Sequence, residues 1–244
     1  MINVASAGRP VPAGGARQFA HYFVGTVLRP RATFDALKRE ASVRWAVVLA
    51  GLLVIEVWLH MLLHAALGMD YLGPRPILAD PTFVGFFGHL RIARADWLPV
   101  FAAFMPLVAL FDLVLTPGIA HLMSKLWHGH GTFEQTINGV VYAALVPAFV
   151  IGVSSEWLFT IPMNVISGHA YWWTAAMAGE FGPTVAAIWN FYVIGIYSIA
   201  PVLWSIGLGA LALRRIQDIP VWAAAVTMLV AYMVTFLVGS VFVR

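Results

Sequence analysis

Five stretches of this chain, roughly 45–67, 97–126, 137–160, 184–213 and 220–243, run for twenty or more residues with almost no charge. A helix needs about 20 mainly apolar residues, rising about 1.5 Å each, to cross roughly 30 Å of hydrocarbon. All five meet that length, and five crossings put the two termini on opposite sides. A water-soluble globule could not hide so much apolar surface, because the chain is 61% hydrophobic and only 10% charged. That leaves too few polar groups to cover its own outside. The expected fold is all-α, a polytopic membrane protein whose five-transmembrane-helix bundle occupies residues 45–244. The second and fourth stretches are long enough to tilt, with Pro106, Pro117 and Pro201 as expected kinks.

Ahead of the bundle, residues 1–15 are rich in Gly, Pro and small residues and lack the apolar core and cleavage site of a secretory signal, so they read as a flexible tail. Residues 16–44 read as an amphipathic cytoplasmic-interface segment. Phe19, Tyr22, Phe23 and Val27 fall at helical spacing, and Phe34 and Leu37 do so again after the break at Arg29-Pro30. Two short helices lying in the membrane surface fit this pattern, with Arg17, Arg29, Arg31, Lys38, Arg39 and Arg44 facing anionic headgroups. A solvated amphipathic lead with no specific lipid partner fits it equally.

Orientation follows from the basic residues. With the N-terminus cytoplasmic, that side holds ten Lys or Arg residues (Arg9, Arg17, Arg29, Arg31, Lys38, Arg39, Arg44, Lys125, Arg214, Arg215) against four outside (Arg75, Arg91, Arg94, Arg244). This is a positive-inside distribution. It also accounts for the net charge of +3 without nucleic acid, since the basic residues concentrate beside the first span rather than forming one stripe. The chain has no cysteine, which excludes disulfides, thiolate metal sites and a cysteine nucleophile. Phosphate-binding loops, dinucleotide fingerprints, HExxH and nucleophile-elbow contexts are also absent. Gly195, Gly207 and Gly209 offer close helix approach in the fourth span. In the outer connections, Phe83, Phe86, Phe87 and Leu90 suggest a short interfacial helix, and Tyr171, Trp172 and Trp173 an aromatic anchor at headgroup level.

Polar groups at membrane depth are the candidates for chemistry. Glu56, His60 and His64 recur every four residues and form one stripe on the first span. Counting from Trp45 and Lys125 as inner edges, Glu56 lies about 16 Å deep, His60 about 22 Å and Asp112 about 20 Å. From Ile137, Glu156 lies about 28 Å deep, level with His64. Asp112 can thus pair with Glu56 or His60, and Glu156 with His64. Three readings stay open for these five residues: interhelical hydrogen bonding, a divalent transition-metal site, and a proton or ion relay. The cofactor expectation is none, with a divalent transition metal as the alternative.

Between the second and third spans lies Trp127-His128-Gly129-His130-Gly131-Thr132-Phe133-Glu134-Gln135-Thr136. His128 and His130 could suggest a ligand pair, but no third ligand is near, and a solvated turn is the better reading. Thr132 and Gln135 have capping-box spacing, Glu134 complements the helix dipole, and Gly131 is expected to free the backbone for the turn.

Three segments carry a resemblance. Leu28-Arg29-Pro30-Arg31-Ala32-Thr33-Phe34, the bridge from Gly129 to Thr136, and Tyr142-Ala143-Ala144-Leu145-Val146-Pro147 resemble the Yip (Ypt-interacting protein) domain family of five-span membrane proteins in its bacterial form. The aromatic run Trp189 to Tyr197 is similar to the family's fourth span. The resemblance covers roughly 28–243; His130, the long connection 68–96 and the Glu56-His60-His64 stripe depart from it. It implies a multi-pass protein of the bacterial inner membrane with no catalytic residues. Eukaryotic members act in vesicle trafficking with Rab-type GTPases, a role that carries over poorly because this chain lacks a long acidic cytoplasmic region. The function expected is a non-enzymatic membrane organiser or partner subunit, bound to the bilayer and to other membrane proteins or to itself. The alternative is a metal- or proton-handling transporter or membrane-enzyme subunit using Glu56, His60, His64, Asp112 and Glu156.

Overall fold

The computed structural model describes residues 15–40, 42–66, 97–154, 157, 158, 162, 182, 184, 188 and 199–243. Every regular element among them is helical: α1 (Gly15–Leu28), α2 (Pro30–Leu37), α3 (Arg44–Ala66), α4 (Trp97–Leu126), α5 (Phe133–Pro147), α6 (Ala200–Gln217) and α7 (Val221–Val243). The fold is all-α, and α3, α4 and α7 lie within a residue of the stretches expected from the sequence. The expected interfacial helix around Phe83, the aromatic anchor at Tyr171–Trp173, Gly195, and residues 1–14 of the expected tail lie outside the described residues. One helical unit among them, Phe133–Val153, is long and apolar enough over 21 residues to cross a membrane, with shorter apolar helices at Leu113–Leu126 and Val221–Thr235.

The third stretch starts four residues early because of its cap. Thr132 Oγ1 accepts from the Gln135 N–H, and Gln135 Oε1 accepts from the Thr132 N–H at 2.8 Å. The expected capping box is present, and it satisfies two otherwise orphaned donors. At the other end, Pro147 cannot donate to the preceding turn, and the helix widens into π geometry over Ala148–Val153. Among the neighbouring helices, α4 runs through Pro106 and Pro117, and Pro201 is the second residue of α6.

Helix α5 is the centre of the bundle. Residues Thr136 to Ala143 are buried without interruption, as expected for a helix enclosed on all sides. It packs against α1, α3, α4 and α6, and α6 in turn packs against α2 and α7. Ile137, Val141, Tyr142 and Val146 join Leu49, Leu208 and Ile216 in one core; Val140 joins Ala120, Leu213, Ala224 and Met228 in a second.

Helices α1 and α2 use their apolar faces inside the protein. Tyr22, Phe34 and Leu37, which the sequence pattern would allow to face lipid, are buried in the first core. The large apolar residues that the hairpin leaves outside are Val24 and Leu28, beside its exposed arginines.

Helix α7 is apolar on both sides. Trp222, Val226, Leu229, Met233 and Leu237 are exposed, while Ala223, Ala224, Thr227, Met228 and Ala231 are buried. Helix α3 repeats the arrangement, with Val48, Leu52, Ile55, Leu59 and Leu62 outside and Ala46, Leu49 and Ala50 inside.

Candidate functional site

The polar side chains that the fold brings together lie at one end of the bundle, around the bridge from α4 to α5. Helix α4 ends in a Schellman motif: the Gly129 N–H reaches the Ser124 carbonyl at 2.8 Å and the His128 N–H reaches the Lys125 carbonyl at 3.1 Å. The residue in the left-handed region is His128, at φ 60°. Gly131 therefore does not serve the turn by conformational freedom, as the sequence reading expects. Both bridge glycines are instead close-packed. A Cβ on Gly131 would lie 2.8 Å from the Ile216 carbonyl oxygen, and one on Gly129 would lie 2.6 Å from Gln217 Oε1.

Gln217, the last residue of α6, is the hub. It is fully buried. Its Oε1 accepts from the Gly131 N–H at 3.0 Å, its backbone carbonyl accepts from the His130 N–H at 3.1 Å, and its Nε2 donates to Thr136 Oγ1 at 2.7 Å. His121 Nδ1 stands 3.3 Å from the same Nε2 and 3.1 Å from Thr136 Oγ1. Lys125 closes the bridge from outside, donating to the Gly129 and Gly131 carbonyls at 2.9 Å each.

These contacts favour one tautomer of His121. Gly131 commits Gln217 Oε1 as acceptor, so the amide NH₂ faces Thr136 and His121. The Thr136 hydroxyl donates to the Thr132 carbonyl at 2.9 Å. Nδ1 of His121 is left as an acceptor, which places the ring proton on Nε2. Nitrogen-15 NMR of histidine-labelled protein is expected to show the Nε2–H tautomer for His121; an Nδ1–H signal would mean that His121 donates to Thr136 Oγ1 rather than accepting from Gln217.

The junction extends to the N-terminal hairpin. Gln135 Nε2 donates to the Lys38 carbonyl at 2.6 Å, and Asn138 Nδ2 donates to the Ser42 carbonyl at 3.1 Å. Lys38 pairs with Asp218 at 2.6 Å, and Arg215 approaches Asp35 at 3.6 Å. Both ion pairs are partly exposed and contribute little on their own. Within the hairpin, Gln18 joins Glu40, Arg44 and Trp45, and the Tyr22 hydroxyl donates to Glu40 at 3.3 Å. Burial raises the Tyr22 phenol pKa above its ordinary value, with the Gln18 hydrogen bond pulling the other way. One turn of α5 from Asn138, the Tyr142 hydroxyl is buried with no partner among the described residues.

The site residues expected from the sequence are not part of this junction. Glu56 lies on α3, half-buried, and accepts from Trp157 Nε1 at 3.2 Å. His60 and His64 continue α3, and Asp112 lies on α4; their side chains, and the whole of Glu156, lie outside what the structure describes. Among the described residues no group of three or more His, Asp or Glu side chains is placed to hold a metal ion. His128 and His130 are exposed on the bridge, as a solvated turn requires.

Gln217 has no mark in the sequence. It follows Arg214-Arg215-Ile216 and precedes Asp218, and a neutral polar residue there is indistinguishable from a solvated helix end. The only hint is the Gly-x-Gly of the bridge, which asks for a close neighbour without naming it. A family model described as the Yip1 domain matches residues 24–243. No curated protein and no solved structure matches the chain.

Proposed function

The chain belongs to the Yip1 domain family, and on that footing we propose that it is a five-span protein of the bacterial inner membrane, N-terminus cytoplasmic, acting as a non-enzymatic organiser or partner subunit of a membrane complex. The spanning reading is supported by the outer faces of α3 and α7. Each turns a run of large apolar side chains outward, from Val48 to Leu62 on α3 and from Trp222 to Leu237 on α7, the surface that a helix presents to lipid. A soluble monomer rarely exposes a contiguous apolar surface of that extent.

The observation that carries the organiser reading is the bridge junction. Its buried polar side chains, Gln217, Thr136 and His121, are committed to holding α4, α5 and α6 together, and Gln135, Asn138 and Lys38 tie the hairpin to them. This is the polar economy of a rigid platform. On its outer side it presents Arg29, Arg31, Arg39 and Arg214, all exposed, at the headgroup level of a positive-inside membrane. The contact from Trp157 to Glu56 favours an interhelical role for the start of the intramembrane stripe.

The test is site-specific photo-crosslinking in the native membrane, with the reactive group at Arg31 or Arg214. Adducts of one defined mass are expected, to another membrane protein or to a second copy. A monodisperse single chain with no adduct at either position would sink the organiser reading. Stoichiometric metal in purified protein that disappears with His60→Ala and His64→Ala together would replace it with the metal-handling one.

A further inference from the structure

A cavity of about 330 Å³ lies inside the bundle, bounded by Leu53 of α3, Thr116 of α4, Ala144 of α5 and Ala148 of the π-helical turn after it, Val202 of α6 and Tyr232 of α7. Its wall is apolar. Three of the hydroxyls on it are turned to partners: Thr116 and Thr235 bond to each other at 2.9 Å, and Ser205 donates to the Ala144 carbonyl at 3.1 Å. A cavity of this kind holds hydrocarbon rather than water, and it has about twice the roughly 150 Å³ that accommodates a benzene ring. About a dozen carbon atoms would fill it.

The cavity communicates with the outside of the bundle. Val202 lines it and is also 45% exposed, and Ile199 just ahead of α6 and Leu203 within it are exposed large apolar residues. Further along α6, Arg214 stands eleven residues from Leu203, about three turns, and therefore on the same face. Arg214 is exposed, and the rise from it to Val202 is about 18 Å. That exceeds half of the roughly 30 Å hydrocarbon thickness only slightly. A lipid whose phosphate sits at Arg214 would lay its chain along this face with its end at the cavity mouth.

We propose that the cavity receives the end of one acyl chain of an anionic phospholipid from the leaflet on the bridge side, with its phosphate at Arg214. The proposal rests on the spanning reading above. The full chain is reconstituted into phosphatidylethanolamine and phosphatidylglycerol vesicles that carry a trace of phosphatidylglycerol with a terminal diazirine on one acyl chain. After illumination, the adducts are mapped by mass spectrometry. Adducts are expected on Val202, Ala148 and Tyr232 in excess over Leu203, which faces lipid without lining the cavity. Ala144→Phe puts a ring into about half of the space; losing even two buried methylenes lowers occupancy roughly tenfold, and adduct yield at the wall should fall by at least that factor. Val202→Trp, at an already exposed wall position, is expected to do the same and serves if Ala144→Phe does not fold. Equal labelling of Leu203 and the wall, or undiminished yield in both filled variants, overturns the proposal. Labelling by a diazirine fatty acid but not by the phospholipid overturns it also, as does a cross-link between two copies through this mouth. Release of the protein from the vesicles by alkaline carbonate overturns the spanning reading and this one with it; retention without wall labelling overturns this one alone.

Discussion

Gln217→Leu is expected to destabilise the folded protein by about 2–4 kcal/mol, because it deletes the shared partner of several buried groups at once. Leucine keeps the volume but leaves the Gly131 N–H without an acceptor, and each buried polar group so orphaned costs about 1–3 kcal/mol. Part of the loss is recovered locally. His121 can move its ring proton to Nδ1 and donate to Thr136 Oγ1, which already stands 3.1 Å away. Gln217→Glu should therefore cost less than Gln217→Leu: its carboxylate still accepts from Gly131, and the altered His121 tautomer supplies a donor for the second oxygen. The midpoint of thermal unfolding in detergent micelles, followed by tryptophan fluorescence, measures both variants. A leucine variant as stable as the parent would mean that the hub carries no stability.

Spacing and hydropathy made much of the architecture readable. The helical stretches came from length and apolarity, and the start of α5 came from Thr132 and Gln135, whose capping chemistry is local and so visible in sequence. What could not be read was any property that depends on rotation about a helix axis or on a distant partner. Gly131 looked like a turn residue because its neighbour Gly129 and the flanking histidines are turn-compatible; its reason is Ile216, 85 positions away in the chain. Phe34 and Leu37 looked membrane-facing because an amphipathic helix has the same pattern whether its apolar face meets lipid or protein. The Glu56-His60-His64 stripe was equally visible as spacing, and its first member meets the indole of Trp157, a partner that spacing did not suggest.

The bridge glycines should respond to substitution by close approach, which separates them from each other and from helix glycines in open space. Gly131→Ala puts a methyl against the Ile216 carbonyl at 2.8 Å and Ile216 Cγ2 at 3.0 Å. A backbone carbonyl cannot swing aside, so overpacking of about 1–3 kcal/mol is expected. Gly129→Ala meets Gln217 Oε1 at 2.6 Å first and the Ser124 carbonyl at 2.9 Å second. Its largest clash is with a side chain that can be removed. In a Gln217→Ala background the cost of Gly129→Ala should therefore fall by about 0.5–1.5 kcal/mol, a coupling of the size seen between touching residues. The cost of Gly131→Ala should change less, because its nearest obstacle is main chain. Gly118→Ala within α4, where a new Cβ meets nothing within 4 Å, should be neutral or stabilising by up to about 1 kcal/mol through helix propensity alone. Additive behaviour of Gly129→Ala and Gln217→Ala would break the link between the bridge and α6, and with it the account of why the bridge needs glycine at both positions.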